Sequence, residues 1–216
     1  KLVKPFVISV SNVVAGDTFA GSSADDNFVF SRTWTYDRVD GAAGTDTLRA
    51  DVGSVATLVT GVGSDVAITM AATGASPAYP ETTVYAANVE RIAINGSKIE
   101  VGTGLAGTAL SNGSIILTGT DGADVLNGSR SDVRLELAGG GGNDILRGGK
   151  ANDVISGGAG SDKIYGGAGS NQLFGGAGND TFFLEGTSDV IVENVNEGID
   201  RVVTRSSYTL GSTLEN

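Results

Sequence analysis

Asp144, Asp153, Asp162 and Asp180 fall on a nine-residue ruler, and Asn171 occupies the mark between the last two. Each acidic mark follows a glycine-rich stretch, so the same carboxylate returns again and again in the same local setting. Residues spaced in this way are suited to binding, because they offer charge and oxygen lone pairs at regular intervals rather than one nucleophile beside one base. The 216 residues include no histidine and no cysteine. That removes the usual zinc sites, the Ser-His-Asp triad and cysteine nucleophiles. What remains is oxygen chemistry, and a hard cation such as Ca²⁺ takes about six to eight oxygens from carboxylates and carbonyls.

The elements that must position these oxygens are short. Residues 139–183 read GGGGNDILR, GGKANDVIS, GGAGSDKIY, GGAGSNQLF and GGAGNDTFF, five units of the form GGxGxDxUx with U a large apolar residue. A six-residue loop, GGxGxD, is followed in each unit by a three-residue strand. Glycine lets the loop backbone take positive φ, so that carbonyl oxygens can turn toward one point. The candidate ligands are therefore the loop backbone and the sixth residue of every unit. They are Gly139, Gly140, Gly141 and Gly142 with Asp144, then Gly148, Gly149, Lys150 and Ala151 with Asp153. Gly157, Gly158, Ala159 and Gly160 go with Asp162, and Gly166, Gly167, Ala168 and Gly169 with Asn171. Gly175, Gly176, Ala177 and Gly178 go with Asp180. Leu146, Ile155, Ile164, Leu173 and Phe182 hold the eighth position, which alternation along a strand turns into a core.

A nonapeptide of this form marks a stacked parallel β architecture. The units resemble the repeats-in-toxin (RTX) family of secreted bacterial proteins. The resemblance implies an all-β fold, a right-handed parallel β-roll (β-solenoid) with several Ca²⁺ ions between its turns. Two units then make one turn, and each unit stacks on the one eighteen residues away. Asp144, Asp162 and Asp180 line one edge, and Asp153, Asn171 and Asp189 the other. In proteins similar to this one, an ion sits between two stacked loops, held by main-chain oxygens and an aspartate from each. Asn171 keeps an oxygen at its mark but loses the charge.

The same register extends beyond the five units. Asp124 restarts it in GTDGADVLN, and Asp189 continues it in LEGTSDVIV. Residues 128–138 form an eleven-residue unit that keeps only its first glycine and reads as a bulged turn, with a further candidate site at Asp132, and Asp200 follows eleven residues after Asp189. Near the start, Asp17, Asp26, Asp37 and Asp46 repeat the spacing in degenerate form over residues 12–49. Residues 31–36 alternate as a strand, and residues 75–80, with two prolines, read as a loop. Between Asp51 and Thr118 the chain is rich in β-branched residues and turn signals, which suits further solenoid turns or a small sandwich. The expected organisation is a β-rich region with degenerate repeats over 1–117, then the β-roll and its flank over 118–216.

Glycine supplies 34 of the 216 residues, well above the usual ~7%, yet 40% are hydrophobic, enough for a packed core. A net charge of −11 excludes nucleic acid and anionic membrane surfaces as partners and suits a cation-loaded chain. No apolar run reaches membrane-spanning length. The chain opens on Lys1 without a leader-like segment, which reads as a piece cut from a longer protein.

The resemblance implies a calcium-binding structural module, folding on calcium outside the cell, as part of a surface-layer protein or adhesin at the bacterial surface. Its partners would be calcium and other copies of itself or further repeats. The other reading is a calcium-dependent folding and secretion tail of an exported hydrolase, lipase or epimerase. No cluster of Lys, Arg and Asp on successive turns suggests a β-helix lyase, so the chain reads as non-enzymatic.

Overall fold

The computed structural model describes residues 7–10, 18–30, 37–53, 56–71, 82–185 and 188–209. Asp17 and the segments 31–36 and 75–80 lie outside the described residues. The chain opens with β1 (Val7–Val10), β2 (Thr18–Ala20), β3 (Asn27–Phe30), β4 (Asp37–Asp40) and β5 (Thr47–Gly53), alternating between two sheets. A meander follows in β6 (Thr57–Val62), β7 (Asp65–Met70) and β8 (Thr82–Ala87). The alternation resumes with β9 (Arg91–Gly96), β10 (Lys98–Val101), β11 (Ser114–Thr118), β12 (Val125–Asn127), β13 (Leu135–Gly141) and β14 (Ile145–Arg147). It is completed by β15 (Val154–Ala159), β16 (Lys163–Tyr165), β17 (Gln172–Ala177), β18 (Thr181–Leu184), β19 (Val190–Val192) and β20 (Arg201–Thr204).

One sheet runs β1-β3-β5-β9-β11-β13-β15-β17-β19, and every pairing in it is parallel. The other runs β2-β4-β8-β7-β6-β10-β12-β14-β16-β18-β20. Outside the β6–β8 meander the chain is thus a parallel β-solenoid in which consecutive strands step from one sheet to the other. In the regular part Leu146 pairs with Ile164 and Ile155 with Leu173, so the stacking offset is the eighteen residues of two units.

In the three-residue strands β12, β14, β16 and β19 the central side chain is buried and its neighbours are not. Leu126, Leu146, Ile164 and Phe182 stack inward from one sheet, and Leu137, Ile155, Leu173 and Ile191 from the other. Each such side chain contributes about 1.5–3 kcal/mol on burial. Phe28, Val39 and Leu48 continue the core into the degenerate repeats.

The β-branched segment forms solenoid turns interrupted by a three-stranded insertion, not a separate sandwich. β7 pairs antiparallel with both β6 and β8, while β8 joins β4 and β6 joins β10 in parallel. The opposite sheet passes directly from β5 to β9. One sheet therefore gains two strands that the other lacks. Two 3-10 turns after β10, Leu105–Gly107 and Ala109–Asn112, bury Leu105 and Leu110 completely. Asp132 fixes the first of them by accepting N–H bonds from Gly104 (3.3 Å), Leu105 (3.1 Å) and Ala106 (3.2 Å). The sixth position of the register falls on Leu135, whose N–H donates to Asp153 Oδ1, so Asp132 anchors the chain from outside that register.

Candidate metal centre

The loops that precede β14, β16 and β18 share one geometry. Their second residues, Gly140, Gly158 and Gly176, have φ of 102°, 108° and 91°, a region that side chains beyond glycine rarely enter. Their first residues, Gly139, Gly157 and Gly175, are needed for space. A Cβ on any of them would lie closer than 3.0 Å to the carboxylate of Asp144, Asp162 or Asp180 respectively. The carboxylate thus occupies room that exists only because the first residue has no side chain.

Successive carboxylates form a ladder. Asp144 Oδ1 accepts the N–H of Asp124 at 2.8 Å, Asp162 Oδ1 that of Asp144 at 2.7 Å, and Asp180 Oδ1 that of Asp162 at 2.8 Å. Asp200 Oδ1 accepts the N–H of Asp180 at 2.9 Å. The second oxygens of Asp144, Asp162 and Asp180 are buried and have no hydrogen-bond partner. A buried carboxylate oxygen without a partner is costly. Loss of hydration pushes the Asp144 and Asp180 carboxyls up to about 6, and raises Asp162 as well.

Not every aspartate in the register is left open. Asp124 Oδ2 accepts the N–H of Thr120, whose hydroxyl also donates to it at 3.1 Å. Asp153 Oδ2 takes the N–H of Gly149 at 2.6 Å and its Oδ1 that of Leu135 at 2.8 Å. Asp26 Oδ2 takes the N–H of Ser22 at 2.6 Å. In these three loops the second residue, Thr120, Gly149 or Ser22, is not in the left-handed region, and its N–H closes onto the aspartate of its own loop. Asp46 fits the open class: Ala42, at the second position, has φ of 69°, and Asp46 Oδ2 is buried without a partner. The sequence reading sets Asp26 and Asp46 apart as degenerate copies and groups Asp124 and Asp153 with Asp144; the backbone of the second loop residue divides them differently.

Asn171 is held differently from the aspartates. Its amide oxygen accepts the N–H of Asp153 at 2.9 Å, so the nitrogen is what turns toward the loop. That nitrogen donates to Asp189 Oδ1 at 2.8 Å and to the Ala168 carbonyl at 3.3 Å. An N–H group thus points where the sequence reading places an oxygen ligand. Asp189 keeps its Oδ2 buried and without a partner. Asp37 begins β4.

Two acidic residues enter the ladders without being singled out from the sequence. Glu90 Oε2 accepts the N–H of Asp46 at 2.7 Å, standing where an aspartate of the next turn would stand. It directly precedes the strand Arg91–Gly96, so a register search admitting Glu at the sixth position would find it. Glu193 Oε1 accepts the N–H of Gly175 at 2.5 Å and occupies the first position of its unit, where no periodic signal points to an acid.

Among the described residues no three acidic side chains converge on one point. A cation held here would take most of its oxygens from loop carbonyls and one or two from carboxylates. The partnerless Oδ2 atoms, the glycine cradles and the all-oxygen donor set fit a hard divalent ion. The profile of the RTX calcium-binding nonapeptide repeat matches four stretches, residues 36–54, 116–136, 138–173 and 157–191. The chain carries RTX calcium-binding nonapeptide repeats. The three later RTX matches cover the regular roll, and the first covers the unit of Asp46. No curated protein matches the chain. Among the described residues no helix is long and apolar enough to cross a membrane.

Proposed function

We propose that this chain is a calcium-dependent structural module of a secreted bacterial protein, a length of rod within a surface-layer protein or large adhesin. The observation that carries this reading is the column of buried, partnerless Oδ2 atoms at Asp144, Asp162 and Asp180. These oxygens, with the carbonyls of residues 139–142, 157–160 and 175–178, would hold the ions. Bound calcium supplies the positive charge that lets stacked carboxylates stay ionised out of water. The aspartates do two jobs at once: Oδ1 holds the N–H of the neighbouring turn, and Oδ2 faces the ion.

Folding that depends on calcium suits an extracellular place of action, where millimolar calcium is the working range of such modules. The absence of cysteine is consistent with a chain stapled by metal instead of disulfides. Two parallel ladders stacked in one direction suit a rod. Calorimetric titration with calcium, paired with circular dichroism, tests the reading. Several ions should bind as β signal appears; a chain that is fully folded in chelator and binds no calcium would refute it.

A further inference from the structure

At the end of the regular roll the glycine rule for the first loop position is broken. Gly119, Gly139, Gly157 and Gly175 hold that position on one edge, and the next turn has Glu193. Its side chain is not turned to solvent: Glu193 is 4% exposed. It reaches back to the preceding turn, where Oε1 accepts the Gly175 N–H. A Cβ on Gly175 would come within 3.0 Å of both Asp180 Oδ2 and Glu193 Oε1, so the two carboxylates face each other across that glycine. Asp180 is 1% exposed, and both Asp180 Oδ2 and Glu193 Oε2 are buried without a hydrogen-bond partner. The described ion pairs, Arg38–Asp65, Arg130–Glu100 and Arg134–Glu136, involve neither residue.

We propose that Glu193 and Asp180 together form a calcium site that does not follow the nonapeptide pattern and that fastens the turn carrying β20 to the roll. The inference rests on the calcium-binding reading above. Two nearly fully buried carboxylates, each with an oxygen that no protein donor satisfies, are stabilised by a positive group between them. Asp200 adds charge on the same side, since its Oδ1 holds the Asp180 N–H. Calcium affinity rises with the number of charged ligands. This site therefore fills before the sites that hold one aspartate from each loop, because Glu193 adds a ligand charge to the one that Asp200 already brings to the loop of residues 193–200.

The test is Glu193→Gln in the whole chain, with calcium stoichiometry measured by native mass spectrometry and amide hydrogen exchange followed in β14, β16 and β20. The variant should bind one ion fewer than the wild type, lose protection in β20 at limiting calcium, and keep protection in β14 and β16. Glu193→Asp should restore the ion only in part, because the shorter side chain must still reach Gly175. The same number of ions with the same order of filling in Glu193→Gln would overturn the site. So would unchanged stoichiometry with a stabilised metal-free form, which would mean that the two carboxylates share a proton. A wild type that binds no calcium would instead refute the underlying reading, which keeps the two failures distinct.

Discussion

The N–H of Asp144 donates to Asp162 Oδ1 at 2.7 Å across eighteen residues, while Asp162 Oδ2 stays buried with no partner. One carboxylate therefore stitches two turns together with one oxygen and leaves the other without a partner.

Replacing Asp162 by alanine removes both functions. The Asp144 N–H loses its acceptor, a penalty of about 1–3 kcal/mol for a buried donor. The column also loses one free oxygen. Asp162→Ala should bind fewer ions and need more calcium to fold, whereas Lys163→Ala, changing an exposed neighbour, should stay within about ±0.5 kcal/mol of the wild type. Calcium titrations followed by circular dichroism on the two variants decide it. Equal effects would mean that the register is misassigned.

The Asn171 amide donates to Asp189 Oδ1 and the Ala168 carbonyl, where a carboxylate could only accept. Asn171→Asp replaces that donor with an oxygen. The variant should be less stable than the wild type in chelator, because two carboxylates then face each other, and should bind one additional ion in calcium. Titration calorimetry reads the added site; unchanged stoichiometry would show that the edge cannot accept an ion.

Acid should partly replace calcium. Burial raises Asp144, Asp153 and Asp180 from an ordinary 3.8 to about 6, and Glu193 from 4.5 to about 7. A carboxyl raised in the folded state holds its proton more tightly there than in the unfolded chain. Its stabilising contribution is complete below the unfolded value and disappears as pH rises through the folded one. The melting temperature of the metal-free protein should therefore fall between about pH 4 and pH 7. A melting temperature that rises across this window in metal-free buffer would contradict the assignment.

Much of this was legible in the chain, because a solenoid repeats its sequence where it repeats its structure. The eighth-position residues Leu146, Ile155, Ile164, Leu173 and Phe182 are all fully buried, as alternation along the strand requires. The pairing of β5 with β9 around the β6–β8 meander was not legible, since a run of β-branched residues carries no period to show which strand stacks on which. Asp124 and Asp162 look equivalent in the repeat. They differ because Thr120 turns its N–H onto Asp124, while Gly158 lies in the left-handed region. Glu193 escaped notice because its contribution depends on a side chain reaching across turns, which local spacing does not encode.

The central claim is that the stacked turns hold together because calcium occupies the face that the aspartates leave open. Amide hydrogen exchange of the intact chain, with and without calcium, tests it most directly at the N–H groups of Asp124, Asp144 and Asp162, which donate to the next aspartate of the ladder. Strong protection in calcium that collapses on chelation is the predicted result, with about 2.7 kcal/mol of the difference appearing at ~100 times the dissociation constant for each independent site. Protection of those three amides that is the same in chelator as in calcium would contradict the account.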